Sequence, residues 1–259
     1  MSRRLPHRRN VLRGALAGAA TLTLGGCQPL SDQGWVKRIV SLGEAINYKM
    51  QRALLGSDTL APEFTEADLS PIFKPNGTFD PEDEDYRALA AKDFAEFKLA
   101  VDGLVERPAE LTLQELRAMP SRTQITRHDC VEGWSAIGKW KGVPLAAILD
   151  RVGVKPQARF VVFFCFDTME EGAKDPVRYY ESIDLIDARH PQTILAYEMN
   201  GGTLPIANGA PLRVRVERQL GYKMAKYIRR IELVEDFGRI AGGKGGYWPD
   251  RGYDWFAGI

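Results

Sequence analysis

The octapeptide Arg127-His128-Asp129-Cys130-Val131-Glu132-Gly133-Trp134 is the most informative stretch of this chain. Its cysteine lies among a cation, an imidazole and carboxylates, a setting that favours a reactive thiolate. A thiolate at this position predicts either a metal ligand or a nucleophile. We therefore expect the chemistry of the protein at Cys130.

The residues on either side of this stretch predict a strand before the cysteine and a helix after it. Residues 124–126 belong to a strand that leads into Cys130. Residues 140–144 predict a turn, in which Pro144 opens a helix over residues 145–151 that Gly153 ends.

The rest of the chain mixes short strands with short helices. Residues 97–101 predict a strand, and residues 111–118 predict a helix with Thr112 as N-cap and Glu115 three residues on. The apolar run at 159–166 is typical of a strand buried on both faces. Other predicted elements are a helix at 183–188, an extended or partly helical segment at 192–199, a turn at 200–202, and strands at 212–216 and 225–233. The chain shows no internal repeat and no low-complexity linker. These elements therefore favour one mixed α+β domain.

The part before these elements is different in character. Residues 28–60 predict an amphipathic tether, because apolar residues recur there at helical spacing: Trp35, Ile39, Leu42 and Ile46. Residues 62–85 are rich in proline and aspartate, and an irregular stretch of this length is usually functional or wrapped over a domain. Asn76 and Gly77 within it have the composition of a turn.

Two stretches, residues 126–149 and 204–213, resemble the sulfite oxidase superfamily of molybdopterin enzymes. The pattern Cys-Val-Glu-x-Trp followed by Trp-x-Gly-x-Pro-Leu matches that superfamily at many spaced positions, which a lone cysteine motif would not. Within the superfamily, the chain resembles the catalytic subunit of bacterial periplasmic methionine sulfoxide reductase and its relatives. The resemblance implies an α+β, sulfite-oxidase-type molybdopterin-binding fold with mixed β-sheets and surrounding helices.

The same resemblance implies a molybdenum-molybdopterin cofactor whose metal is bound by Cys130. Molybdenum held by a pterin dithiolene takes one more soft anionic donor, which a thiolate supplies. The positions that match cofactor contacts of the superfamily are Asn76, Cys165, Asn208, Arg213, Met224, Ala225 and Lys226. Arginine suits the pterin phosphate because its planar fork donates bidentately. Cys165 stands where the reductase has a threonine, which implies a weakened contact, and Asn76 is equally well interpreted as a turn residue.

Glu132 lies two residues after Cys130, so in an extended segment the two side chains project to the same side. Glu132 is then placed to relay protons. The alternative is a surface carboxylate paired with Lys139 or Lys141. His128 is expected as a hydrogen-bonded neighbour of the metal ligand and not as a ligand itself.

The basic residues bear on the substrate. Sulfite oxidases surround their metal with several arginines, whereas only Arg127 matches here, and Arg215 and Arg218 are interpreted as solvated charges at a strand edge. The pattern favours oxygen-atom transfer with a neutral small molecule, such as reduction of a sulfoxide or N-oxide. Sulfite oxidation by the same superfamily is the alternative. Tyr222 and Tyr227 flank the stretch that matches phosphate contacts, and the aromatic candidates for the pocket wall are Tyr247 and Trp248.

The first residues are typical of an export signal. Arg8-Arg9 opens a twin-arginine motif, and the apolar stretch at 15–24 is shorter than the roughly 20 residues that span a bilayer. Residues 24–27 resemble a lipoprotein cleavage box with Cys27 acylated; the alternative is a cleaved signal and an unmodified cysteine. We expect a signal peptide at 1–26, a tether and wrapping segment at 27–85 and a catalytic domain at 86–259. The protein is then periplasmic and lipid-anchored to a membrane through Cys27.

Charge and cysteine content narrow the function further. Of 35 basic and 34 acidic side chains, the segment 1–26 holds five arginines and no acid, which leaves 30 against 34, about −4. This balance argues against nucleic-acid binding. No Cys-x-x-Cys-His is present, which excludes covalent c-type haem in this chain. Electrons are expected from a separate partner, either a membrane haem protein or a small cytochrome.

Three alternatives stay open at this point. Cys130 and Cys165 could form a disulfide in an oxidising compartment, which would destroy the metal ligand. A thiol hydrolase would pair Cys130 with His128 or His190, although the residue pattern of papain-like enzymes is missing. A non-catalytic lipoprotein on a degenerate fold is the third, because fold does not imply function.

Overall fold

The computed structural model describes residues 34–169 and 177–259. The chain divides into two compact units, Met1–Asn47 and Tyr48–Ile259. Of the first unit only residues 34–47 are described, and they belong to helix α1 (Gly34–Leu55), which confirms a helix over this part of the predicted tether at 28–60. The predicted signal peptide, with Arg8-Arg9 and Cys27, lies outside the described residues. No helix in the described part of the chain is long and apolar enough to cross a membrane.

The described residues of the second unit form two β-sheets, one mixed and one antiparallel, with short helices. The strands are β1 (Lys98–Gly103), β2 (Ala109–Thr112), β3 (Arg122–Cys130), β4 (Trp134–Pro144), β5 (Phe160–Thr168), β6 (Arg178–Asp184), β7 (Ile194–Met199), β8 (Gly202–Thr203), β9 (Arg213–Arg215) and β10 (Ile228–Val234). The helices after α1 are α2 (Glu84–Ala90), α3 (Leu113–Ala118), α4 (Leu145–Val152), α5 (Leu185–Ala188) and α6 (Tyr247–Asp250), and short 3-10 turns lie at Glu66–Asp68, Ile206–Asn208 and Gly221–Lys223.

One sheet has the strand order β2-β1-β10-β5-β6, and the other has the order β3-β4-β7-β8 with β9 paired to β7. Only β1 and β10 pair in parallel in the first sheet. Short helices contact strands of both sheets, so the predicted α+β fold is confirmed. Its apolar core includes both faces of β5, where Val161, Val162 and Phe163 are fully buried.

Local signals near the sheets act as predicted. Helix α3 begins with a capping box, in which the Glu115 amide donates to the Thr112 hydroxyl at 3.1 Å and the Thr112 amide donates to the Glu115 carboxylate at 2.9 Å. Gly153 ends α4 with a positive φ of 70°. A glycine reaches that conformation without steric cost.

Two predicted elements are wrong in part. Residues 140–144 do not form a turn but end β4, which bulges between Lys141 and Gly142 as it pairs with β7. The glycine serves close packing there, since a Cβ at Gly142 would lie 2.1 Å from the Leu195 carbonyl oxygen. Residues 183–184 end β6, so the predicted helix shortens to α5, capped by the Asp184 carboxylate.

The hairpin β3-β4 carries the cysteine of interest. Its first strand buries every second side chain from Gln124 to Cys130 and exposes the intervening ones to a larger extent. The irregular segment 62–85 runs along this hairpin, because the Phe64 amide donates to the Ile125 carbonyl at 2.9 Å and the Ser70 amide donates to the Ile137 carbonyl at 3.1 Å. The wrapping segment is thereby led toward the end of β3.

Candidate cofactor site

Cys130 is the last residue of β3 and pairs with Trp134, the first residue of β4. Gly133 makes the tight connection possible with a φ of 85°. The cysteine is 9% exposed, and both it and Cys165 are free thiols. Burial raises the pKa of the Cys130 thiol. A bound metal would reverse this, because a coordinating thiol is deprotonated.

The expectation that the Arg127 cation lies beside the Cys130 thiol is wrong. Strand alternation turns the Arg127 side chain to the opposite face of β3, where its guanidinium pairs with the Asp129 carboxylate at 2.9 Å. The Asp129 carboxylate also accepts a hydrogen bond from Ser135. The Cys130 thiol therefore faces a cleft on the other side of β3 from Arg127 and Asp129.

The cleft at Cys130 is lined by three chain segments: residues 76–78, residues 130–132 and part of 221–226. Asp167, Met169, Tyr179 and Trp248 complete its walls. The predicted site residues Asn76, Cys130, Glu132, Met224, Ala225 and Lys226 are thus brought together in one place. The wall residue Trp248 was also anticipated, whereas Tyr247 packs behind it against Tyr179.

Glu132 lines the cleft but not in the predicted way. Residues 131–133 form a turn, so Glu132 does not follow Cys130 in an extended segment. Its half-exposed carboxylate accepts a hydrogen bond from the Trp134 indole at 3.0 Å and lies 3.8 Å from Lys74. The alternative pairing is wrong too, because Lys139 and Lys141 bind other glutamates.

Cys165 lies away from the cleft. It is fully buried in the apolar core, on β5 opposite Ile228 of β10. Burial raises the pKa of its thiol well above the usual range. Cys165 is not among the described residues that line the cleft, so the expected cofactor contact at this position stays a prediction.

Arg213 and Asn208 lie behind Lys226, beneath the cleft. Gly209 packs between the side chains of Lys226 and Arg213. A Cβ at this glycine would be 3.0 Å from the Lys226 side chain and 3.2 Å from the Arg213 side chain. One Arg213 nitrogen donates to the Asn208 carbonyl at 2.9 Å. Its other two, Nε and Nη2, and the Asn208 side-chain amide nitrogen are buried without a hydrogen-bond partner among the described residues.

Lys226 is already engaged in the structure. Its ammonium donates to the carbonyl oxygens of Asn76 at 2.5 Å, Thr78 at 2.6 Å and Ala207 at 3.3 Å. These bonds use its three donors and join the loop of Asn76 to the turn of Asn208. A phosphate contact by this ammonium would therefore replace one of the three.

The donor set fits molybdopterin. Buried polar groups are normally hydrogen-bonded, so several unpartnered ones in one place indicate a bound ligand. Arg213 and Asn208 offer donors for a phosphate, and the unpartnered Oδ1 atom of Asn76 offers an acceptor for a pterin N–H group. No three His, Cys, Asp or Glu side chains within the described ranges are grouped to hold a metal ion.

The sequence interpretation of Arg215 and Arg218 as solvated charges is wrong. Arg215 is fully buried and pairs with the Glu217 carboxylate at 2.7 Å. It also donates to His128 Nδ1 at 3.0 Å. Arg218 is buried against the Asp187 carboxylate at 2.9 Å.

His128 is buried next to Arg215, as expected of a hydrogen-bonded neighbour. Burial, with the Arg215 charge as the next cause, lowers the pKa of His128 well below its usual value. His190 instead binds the Thr59 carbonyl and the Gln192 amide. Neither histidine lines the cleft at Cys130, which disfavours a cysteine hydrolase.

The sequence did not single out Asp167 or Tyr179. Asp167 is 3% exposed on β5, and burial raises its pKa to about 6. The Tyr179 hydroxyl donates to the Tyr222 carbonyl at 2.6 Å and so holds one wall of the cleft. The sequence does contain one signal for Asp167: it directly follows the apolar run at 159–166, at the end of a strand predicted to be buried on both faces.

Comparison with known proteins agrees with this geometry. The family model described as "Oxidoreductase molybdopterin binding domain" matches residues 87–238. The chain is 37% identical over 254 residues to the "Putative protein-methionine-sulfoxide reductase subunit YedZ1" of Azospira oryzae, covering 98% of this chain and 88% of that protein. It is also 37% identical over 145 residues to the "Protein-methionine-sulfoxide reductase catalytic subunit MsrP" of Ralstonia nicotianae, covering 54% of this chain and 44% of that one.

Among solved structures, the sulfane dehydrogenase SoxCD of Paracoccus pantotrophus aligns with a TM-score of 0.48 and 22% identity, over 55% of this chain and 39% of that one. The family match covers more than half of the chain and includes Cys130, Asn208, Arg213 and Lys226. This chain therefore belongs to the oxidoreductase molybdopterin-binding domain family.

Proposed function

We propose that this molybdopterin-dependent oxidoreductase removes an oxygen atom from a neutral small molecule, as in reduction of a sulfoxide or an N-oxide. The observation that carries the proposal is the charge of the cleft. Among the described residues that line it, Lys226 is the one basic side chain, and backbone carbonyls already bind its ammonium. Such a cleft offers little attraction to a dianion like sulfite.

The relatives support the same substrate class. Two proteins that are 37% identical to this chain are named as methionine sulfoxide reductase subunits. A thioether sulfoxide is neutral and polar, and Met169, Tyr179 and Trp248 provide apolar and aromatic walls for it. We infer that a sulfoxide is the preferred acceptor.

The side chains of this site have different roles in binding the cofactor. The bound cofactor supplies the two-electron redox chemistry. Cys130 would hold its metal at the end of β3, which the Gly133 turn fixes in place. Arg213 and Asn208 would bind its phosphate from below, and Lys226 holds their turn and the Asn76 loop together.

Electrons would come from a separate protein, since the sequence contains no motif for covalent haem. A membrane haem protein or a small cytochrome is the expected class of donor. The word "subunit" in the names of both relatives is consistent with such a partner.

A periplasmic location with a lipid anchor at Cys27 completes the proposal. The support is the sequence alone: a twin-arginine motif, a short apolar stretch and a cleavage box. Acyl chains add about 0.8 kcal/mol of membrane affinity for each buried methylene. Membrane fractionation of wild type and Cys27→Ser tests it, with wild type in the membrane and the variant released. A wholly soluble wild type would contradict the anchor.

The proposed reaction is tested with molybdenum-replete protein expressed with twin-arginine export. Oxidation of a reduced dye by dimethyl sulfoxide or methionine sulfoxide should exceed sulfite oxidation by the same preparation. Cys130→Ala should abolish activity and Cys165→Ala should keep at least part of it. Efficient sulfite oxidation without sulfoxide or N-oxide reduction would overturn the proposal.

A further inference from the structure

The cleft contains a second carboxylate whose position differs from that of Glu132. Asp167 lies on β5, is almost fully buried and lines the cleft with Cys130. Its Oδ1 atom has no hydrogen-bond partner among the described residues. Glu132 is half exposed, and its carboxylate already accepts the Trp134 indole N–H.

The surroundings of Asp167 favour its protonated form. Burial is the main cause and raises the pKa of this carboxyl, while the charge of Lys226 and a hydrogen bond from Thr78 lower it in part. Titratable groups that face Asp167 from the packed elements are Lys226 on the loop before β10, Cys165 on its own strand, Tyr179 on β6, Tyr227 and Tyr86. The Lys226 ammonium donates its hydrogen bonds to three backbone carbonyls. It therefore does not donate one to the unpartnered Oδ1 atom of Asp167.

The proposed reaction needs an acid at this place. Reduction of a sulfoxide consumes two electrons and two protons, and it breaks the sulfur–oxygen bond to release a thioether and water. The electrons come from the partner of the proposed function. A carboxyl that is buried, lines the cleft and has an oxygen without a hydrogen-bond partner suits general acid catalysis, because its raised pKa of about 6 lies closer to neutral pH than that of an ordinary aspartate.

We propose that Asp167 is the proton donor of this cleft, delivering one of the two protons to the oxygen that leaves the substrate. The carboxylate that remains is reprotonated from water at the cleft mouth, and the second proton comes from solvent. This assignment rests on the proposed oxygen-atom transfer. It replaces Glu132 in the role that its spacing from Cys130 had suggested.

The test compares Asp167→Asn with the matched variant Glu132→Gln. We expect Asp167→Asn to keep the molybdenum and pterin content of wild type while kcat for sulfoxide reduction falls about 100-fold, the usual scale of a lost general acid, with KM little changed. Wild-type kcat should decline as pH rises above about 6, because the acid is then ionised. That decline should persist in Glu132→Gln and vanish in Asp167→Asn.

A second readout does not depend on turnover. The infrared carbonyl band of protonated Asp167, identified by its loss in Asp167→Asn, should titrate near neutral pH in the purified protein. A carboxylate that is ionised throughout from about pH 5 to pH 8, well above the ordinary range for aspartate, would overturn the assignment. So would an Asp167→Asn protein that has lost its pterin, since Asp167 would then bind the cofactor, or one with wild-type kcat. If wild type reduces no sulfoxide or N-oxide while the band titrates as expected, the proposed reaction is wrong, and Asp167 is still shown to be an acid with a raised pKa.

Discussion

Two buried arginines on the short strand β9 have opposite surroundings. Arg213 and Arg215 both lie over the Trp140 ring, with guanidinium carbons 4.9 Å and 4.5 Å from its centroid. Arg215 is satisfied by Glu217, by His128 and by the Arg127 carbonyl. Arg213 has the Asn208 carbonyl and leaves two nitrogens without partners in the described part of the chain.

This difference indicates that Arg215 has a structural role and that Arg213 is placed to bind a ligand. Burial, and next the neighbouring charge of Arg215, lower the pKa of Arg213 to about 9. A buried, unpaired charge is costly, so the protein alone gains nothing from Arg213. An anion such as the pterin phosphate would satisfy its free nitrogens and remove the penalty.

The largest expected effect is on the paired arginine. Arg215→Met leaves the Glu217 carboxylate buried without its cation, which should lower the free energy of unfolding by about 3–5 kcal/mol. Urea unfolding of the cofactor-free chain measures the loss. The double variant Arg215→Met with Glu217→Met is the control and should recover much of it. A loss below about 1 kcal/mol in the single variant would mean that this pair is not structural.

The unpaired arginine should respond in the opposite way. Arg213→Met should leave the unfolding free energy unchanged or raise it, because an unsatisfied buried cation disappears. Cofactor retention should drop about tenfold or more, since a hydrogen bond to a charged group contributes about 1.5–3 kcal/mol. Pterin released per chain, measured by fluorescence, checks this. A strongly destabilised Arg213→Met with normal pterin content would reverse the comparison.

A smaller effect should appear in the pH dependence of stability. Glu181 and Lys223 form a fully buried ion pair behind the cleft, and burial raises the pKa of Glu181 from 4.5 to about 7. An acid with a raised pKa in the folded state contributes stability that is complete below its unfolded value and is lost as pH rises through the folded value. Unfolding free energy should therefore decline between about pH 4.5 and pH 7.

The double variant Glu181→Gln with Lys223→Met removes both charges together. Its unfolding free energy, followed by urea titration at several pH values, should lack the wild-type decline over this interval. The same slope in both proteins would show that another group causes it.

The sequence predicted the parts of the site that depend on local patterns. The strand into Cys130, the helix caps at Thr112 and Gly153, and the cleft residues Asn76 and Lys226 follow from spacing or from family resemblance. These features involve neighbours in the chain or motifs of several residues. Their physical basis is local, so a single sequence carries it.

The errors arose where distant partners decide the outcome. Arg218 is buried because Asp187, 31 residues earlier, pairs with it. The segment that ends in Pro144 extends as a strand because β7 packs against Gly142. Asp167 gains its free oxygen and its raised pKa from a cleft that three separate segments build. No pattern around any of these residues shows such partners.

The central claim is that Cys130 holds the molybdenum of the cofactor in this cleft. X-ray absorption at the molybdenum edge tests it most directly, with wild type, Cys130→Ser and the matched control Cys165→Ser. The account predicts one sulfur ligand fewer in Cys130→Ser than in wild type, with an oxygen in its place, and no change in Cys165→Ser. Identical sulfur coordination in wild type and Cys130→Ser would contradict it.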